Sequence, residues 1–485
     1  MPKIFCTLTS SHLLDENLLE NGLKYLTRIQ LHREVTDYKD VIKYGTNSPE
    51  FAKYATEDAI NTYDLYKLQS PQIEKEGLHH LAYDIEFPFQ KALMWLAING
   101  IRGDVSAAKT MRYEVQHLFY TIENELLNIF GGDYVTSITP RSRVVSCKPS
   151  INFNSSDQVV PLIEGLGFPI YERSKKEKKK SWNKQSKKRL EGKHPAIDLL
   201  IKLGKVEKLL NGFLIPFERF IDVDGRIRCS FHNTVCVTGR LSCSSPNIEQ
   251  LPKNNDIANI RNLFVAELGN VIITADYSGQ EVRIMAQESG DKTFKDALIN
   301  GLDLHQVTAD AMGVSRDDAK CIVFGTAYGK SAYGFSKDFN CSEKDAQAFI
   351  DRFFARYPGL KQAIEKTNGQ IYRYGFVRNM AGRKRRFPDF HRLNKWGKKR
   401  CYRQGFNFKI QGYGGEVLKK AASEVVKNLK LMLINLVHDE IVVECGREYK
   451  EEGMKYIEQC MVKALPIFIP WDIDISSGGC YGEAK

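Results

Sequence analysis

Two acids stand where chemistry could be built. Asp276 closes the run N-V-I-I-T-A-D that begins at Asn270, and Asp439 lies inside L-I-N-L-V-H-D-E-I-V-V-E, from Leu433 to Glu444. The first run is β-branched and apolar, which spells a buried strand; the second reads as two apolar strands around a tight tip. A carboxylate at such a strand end is costly to bury unless something neutralises it. Magnesium takes a few carboxylate oxygens, and a pair of ions stabilises both the attacking and the leaving oxygen of an in-line phosphoryl displacement. Two strand-end aspartates side by side would provide that cradle. Taken singly, either acid is also what a turn or a cap carries, and a spacing of 163 positions does not show that the two meet.

Between them runs V-S-R-D-D-A-K-C-I-V-F-G-T-A-Y-G-K-S-A-Y-G, Val314 to Gly334. Ser315 with Asp318 three residues on has the form of a capping box, so a helix should start there. Arg316, Lys320, Phe324 and Tyr328 then recur every fourth residue, which sets two cations and two rings along one side. A triphosphate could lie on the cations, and a sugar and base against the rings. Gly325 and Gly329 each cost a helix roughly 1 kcal/mol relative to Ala, so close approach of a ligand or another backbone should compensate.

The elements around these residues are helical in the first half of the chain. Leu13 to Leu26, Phe51 to Leu68, residues 81 to 130 on either side of N-G-I-R-G-D, and Lys202 to Phe217 all carry helical periodicity. Ile138 to Pro195 is poor in apolar pattern and rich in Ser, Lys and Asn, the composition of a flexible arm. From Asp222 onward short strands mix with helices, so the fold class is α+β. At 485 residues, 42% hydrophobic and 27% charged, the chain suits several globular domains and not a disordered one. Eleven cysteines without a C-x-x-C pair read as free thiols, and the seven-residue rhythm of Cys229, Cys236 and Cys243 lacks the convergence of a metal site. No run of about 18 apolar residues offers a membrane span, and Met1 to Ser11 has no secretory pattern. The expected location is a reducing cytoplasm.

The formal charge of +11 is unevenly placed. Arg173 to Arg189 holds ten Lys/Arg against Glu177, and Arg378 to Arg403 holds eleven against Asp389. Trp182 lies in the first stretch; Phe387, Phe390, Trp396 and Tyr402 lie in the second. Cations interleaved with rings suit phosphates and bases, so both stretches are expected to touch nucleic acid through its backbone.

With these residues in place, the sequence resembles a family A DNA polymerase, the group of bacterial DNA polymerase I. D-Y-S-x-x-E-x-R (Asp276 to Arg283), R-x-x-x-K-x-x-x-F-G-x-x-Y-G (Arg316 to Gly329) and H-D-E (His438 to Glu440) follow in order. T-G-R-L-S-x-x-x-P-N-x-x-Q-L-P (Thr238 to Pro252), D-L-H (Asp303 to His305) and R-x-x-x-N-x-x-x-Q-G (Arg403 to Gly412) extend the match. The resemblance implies a right-hand fold of palm, fingers and thumb, preceded by a partial 3′–5′ exonuclease-like region at 1–80. Residues 81–220 would begin the palm and form a helical thumb with a Lys-rich insertion at 173–190. The palm would continue at 221–287, the fingers fill 288–400, and the palm close at 401–485.

It also implies roles. Asp276 and Asp439, helped by the backbone carbonyl of Tyr277, would hold two Mg2+. Arg316, Lys320 and His305 would grip a deoxynucleoside triphosphate, with Lys320 as the acid for the leaving pyrophosphate. Phe324 and Tyr328 would pack on sugar and base, beside Gln280, while Glu281 would close the pocket beneath C2′. Arg240, Arg403, Asn407, Gln411 and His438 would touch the primer–template.

A single-subunit RNA polymerase shares the Arg, Lys and Tyr-Gly of the middle helix, but Glu281 and Phe324 point to deoxynucleotides. A catalytically silent DNA-binding relic should have lost an acid, yet Asp276, Lys320 and Asp439 all stand. Y-A-T-E-D (Tyr54 to Asp58) resembles the third acidic motif of the proofreading domain, whose first two motifs should precede Met1. The expectation is no intrinsic proofreading, the region being a relic or completed by a separate polypeptide. Q-G-Y-G-G-E (Gln411 to Glu416) and Gly279 depart from the family's usual residues, which leaves packing around them open. Size and truncation suggest a bacteriophage enzyme working in the host cytoplasm.

Overall fold

A computed structural model describes residues 4–138, 145–174, 178–252 and 256–485. It divides into two compact units, one of residues 1–101, 228–250 and 266–485, the other of 102–227 and 251–265. Residues 4–80 fall in the same unit as the residues that carry Asp276 and Asp439.

In the first unit the elements used below are α1 (Phe87–Asn99), β1 (Asn270–Tyr277), α2 (Gln280–Ser289), α3 (Leu304–Met312), α4 (Arg316–Ala327), α5 (Lys395–Val425), β2 (Met432–Val437), β3 (Glu440–Gly446), α6 (Lys450–Val462) and β4 (Ile473–Gly478). The four strands form one antiparallel sheet in the order β2-β3-β1-β4. Its centre is β1, where Ile272, Ile273 and Ala275 are fully buried, as the β-branched run required. α1, α5 and α6 pack with the sheet through Phe89, Leu96, Val417, Ala421, Ile457 and Met461, all in one apolar core. The tip between β2 and β3 is two residues long, with His438 at φ +58, a conformation uncommon for a residue with a Cβ.

Several expectations change. The pattern from Leu13 to Leu26 is two helices, Thr7–Leu14 and Leu23–Gln30, because the chain opens between them to bury Glu16 against Arg385 and Arg386. Part of the second basic stretch is internal, while Arg392, Lys395, Lys399, Arg400 and Arg403 stay exposed. Arg383 is 2% exposed, with Nε 2.5 Å from Glu416 and its other nitrogen on Glu86; Lys419 completes the group at 2.6 Å from Glu86. Lys384 pairs with Glu76, and Arg386 Nη1 lies 2.8 Å from Glu16. Two acids and two bases cancel within the buried group, which is what such depth demands. Phe387 and Phe390 are buried too, so of the four rings there only Trp396 is strongly exposed, beside exposed Lys395, Lys399 and Arg400.

The second unit holds long helices Val105–Phe130 and Pro195–Leu209 and the hairpin Tyr134–Ile138/Val145–Pro149. The span expected as a flexible arm also forms helices Ser156–Gly165 and Lys184–Leu190, the latter closed by a capping box from Asn183 to Ser186. Trp182 is buried, with the Lys187 ammonium 5.6 Å from its ring centre, and is therefore not offered to a base. Residues 139–144 of that arm, and Lys175, Lys176 and Glu177 of the lysine run, lie outside the described residues. Among the described residues no helix is long and apolar enough to cross a membrane.

Candidate active site

Strand pairing brings the two acids together. Glu440 of β3 is the register partner of Asp276 on one side and Asp474 of β4 on the other. Asp439, one residue before Glu440, accepts the Tyr277 backbone N–H on its carbonyl at 3.3 Å. Its carboxyl faces that of Asp276. Burial, then the neighbouring charge of Asp276, pushes Asp439 up from 3.8 to about 7. Oδ1 of Asp276 is buried and receives no hydrogen bond. Two oxygens held together, one of them unsatisfied, form a cradle that a small hard cation fits.

Asp439 opens on a cavity of about 370 Å3 that is also lined by Arg240, Gln280, Glu281, His305, Lys320, Phe324 and His438. α4 begins as its sequence signalled: the Ser315 hydroxyl accepts from the Asp318 N–H at 3.1 Å. Lys320 and Phe324 then lie one turn apart on the side facing the cavity. His305 stands against Phe324 with ring centres 5.6 Å apart, and Phe324 lies 6.2 Å from Tyr328. Burial lowers the His305 imidazole below its ordinary value, so it is neutral at pH 7, and its Nδ1 is buried without a partner.

Three residues lock the floor. Arg240 Nη2 lies 2.6 Å from Glu281, the Tyr328 hydroxyl donates to the other Glu281 oxygen, and Arg240 Nε donates to the Gln411 carbonyl at 3.3 Å. Gln280 is largely buried on the cavity wall, and its amide donates to the Gly414 carbonyl at 3.4 Å. The glycines of Gln411 to Glu416 explain their own departure. A Cβ on Gly414 would sit 2.3 Å from Gln280, and one on Gly415 would meet Arg240 at 3.3 Å. Gly279, at φ +61, starts α2 in a conformation that Gly adopts readily.

Other expected residues are placed differently. Arg316 is exposed and holds Asp303 at 2.6 Å. Arg403 packs on Gly329, where a Cβ would meet it at 2.6 Å, and Gly325 makes room for Phe335 at 2.6 Å. Gly325 is thus met by the Phe335 ring, while Gly329 lies beyond the end of α4 at φ +71, a conformation that glycine adopts readily. Arg403 lines a second cavity of about 650 Å3 with Tyr328, Trp396 and Lys399. Asn407, absent from the smaller cavity's wall, has a buried Oδ1 without a hydrogen bond. The Tyr277 side chain is buried, donating to the Met461 carbonyl at 2.7 Å. Sequence reasoning missed Lys485, whose Nζ lies 3.2 Å from Asp276 Oδ2 and also reaches Glu440. No local pattern marks that lysine.

This sheet, with acids from β1 and the β2–β3 tip facing a helix of cations and rings, is the architecture of a nucleotide polymerase palm. The DNA polymerase family A model matches residues 138–483, and the chain belongs to that family. A thermostable DNA polymerase I of Thermus filiformis is 30% identical over 451 residues, covering 90% of this chain and 52% of that protein. DNA polymerase I of Pseudomonas aeruginosa is 28% identical over 505 residues, covering 99% and 53%. The chain thus spans about half the length of the curated relatives it matches. A solved chain described as the POL domain of Pol1 from M. smegmatis, in complex with DNA primer-template and dNTP, has the same fold. Its TM-score is 0.84 at 23% identity, covering 99% of this chain and 82% of that one.

Proposed function

We propose that this chain is a DNA-directed DNA polymerase, adding deoxynucleoside triphosphates to a primer 3′-hydroxyl. The observation that carries the reading is the pairing of Asp276 with Asp439 at the mouth of a cavity walled by His305, Lys320 and Phe324. The names of its relatives, and the primer-template and dNTP held by the mycobacterial chain, agree with it.

Asp276 and Asp439, with the Tyr277 carbonyl, would hold two Mg2+. When bound, the ions supply positive charge for in-line attack of the 3′-hydroxyl on the α-phosphate. The chain's own residues do the rest. Arg316 exchanges Asp303 for phosphate oxygens, a favourable trade for a guanidinium. Lys320 gives its Nζ proton to the leaving pyrophosphate. Neutral His305 donates a hydrogen bond to the triphosphate. Phe324 and Tyr328 exclude water beside the sugar and base, and Glu281, held by Arg240 and Tyr328, fills the space beneath C2′. Arg240, Arg403, Asn407, Gln411 and His438 orient the primer–template.

The same reading gives the chain no intrinsic proofreading. Asp58, the second of the two acids in Y-A-T-E-D, is held by Lys24, whose ammonium lies 4.1 Å from the Tyr54 ring centre. A nuclease half supplied by a separate polypeptide would have to displace Lys24.

Primer–template with matched and 3′-mismatched ends, given dNTPs or rNTPs with magnesium, tests all of this. Extension with dNTPs and no shortening of mismatched ends is expected. Preference for rNTPs points to an RNA polymerase, shortening contradicts the proofreading reading, and no extension at all points to a silent DNA-binding protein.

A further inference from the structure

The cation that faces the acids is the chain's own. Three carboxylates stand in one cross-strand row, Glu440, Asp276 and Asp474, and like charges directly opposite on a sheet destabilise it. Lys485 lies over two of them, 3.2 Å from Asp276 Oδ2 and bonded to Glu440 Oε2, the oxygen that Tyr481 also approaches at 3.4 Å.

The placement is built into the fold. Ala484, the residue before it, is fully buried, and its carbonyl accepts from Ser476 at 2.5 Å and from Thr274. Tyr481 is 1% exposed. The backbone is therefore pinned to β1 and β4 immediately before Lys485, which leaves only the side chain to move. A lysine ammonium and a divalent cation cannot share Asp276 Oδ2 without strong repulsion.

We infer that Lys485 is a built-in counter-ion that competes with divalent cations for Asp276 and so sets how tightly the acid pair holds them. This rests on the reading of Asp276 and Asp439 as the cation-holding pair. A competing charge lowers metal affinity in the absence of DNA and keeps the acids from repelling one another. A lysine that merely scaffolds Glu440 would act in the opposite sense, since its loss would loosen the pair and weaken binding.

The test is direct binding of Mn2+ to the full chain without DNA, read from the electron paramagnetic resonance signal of the free ion. Lys485→Met should bind roughly fivefold to tenfold tighter than the wild type, and Lys485→Arg about as the wild type does. A second readout needs no variant: Mg2+ should speed acetylation of the Lys485 amine severalfold, measured on its peptide by mass spectrometry. Unchanged or weaker Mn2+ binding by Lys485→Met, or acetylation indifferent to Mg2+, overturns the inference. Primer extension by that same preparation would leave the polymerase reading standing, whereas an absence of Mn2+ binding by wild type and variants alike overturns both.

Discussion

Tyr328 donates its hydroxyl to one oxygen of Glu281, while Arg240 holds the other at 2.6 Å. Burial, followed by the charge of Glu281, pushes the tyrosine well above its ordinary value, so it remains a donor at any working pH. One carboxylate thus fixes both the ring that would face a base and the guanidinium that would face the primer. Glu281→Ala should lower selectivity for dNTP over rNTP by roughly a hundredfold, because the filled space beneath C2′ opens. Glu281→Gln, which keeps the volume, should lose much less. Single-nucleotide kcat/KM for matched dNTP and rNTP pairs measures both.

The pair of acids makes the folded chain pay for its chemistry. Asp439→Asn removes the clash with Asp276 and should raise the stability of the metal-free protein by about 1 kcal/mol at pH 8. The same change should cost activity at least a thousandfold. Urea unfolding beside a primer-extension rate gives both signs; a variant that loses stability and keeps its rate contradicts the assignment.

His12 supplies a pH-dependent element far from the chemistry. Burial, then the Arg383 charge, lowers it from 6.5 to about 3 in the folded chain. Its contribution to stability is therefore full above about pH 6.5 and is lost as the pH falls toward 3, since only the unfolded chain takes up the proton. His12→Asn should flatten that part of the stability–pH curve by on the order of a few kcal/mol, read from denaturant midpoints between pH 4 and 7.

The buried ion group carries a larger penalty when broken. Glu416→Gln leaves Arg383 facing Glu86 alone, whereas Arg383→Met strands the Glu416 carboxylate and leaves Glu86 with Lys419 alone. The second should cost about 3 to 5 kcal/mol, more than the first, in the same unfolding assay.

What the sequence disclosed was local. The strand at Asn270–Tyr277, the hairpin around His438 and Asp439, and the Ser315 cap are each written in a few adjacent residues, and all stand in the structure. Charge was legible only in part, because composition gives its sign but not its partner. Arg383 and Glu86 are 297 positions apart, and nothing near Arg383 tells a phosphate-seeking cation from one already paired. Trp182 was misread likewise, since a ring among lysines looks exposed until its neighbours are known. Lys485 was invisible because its meaning lies 209 positions away, at Asp276.

The most direct measurement is single-turnover addition of one dNTP to a primed template in Mg2+, comparing the wild type with Asp439→Ala. The account predicts a primer one nucleotide longer with the wild type and none with the variant, although both bind the template. No product from the wild type, or equal product from the two, would contradict it.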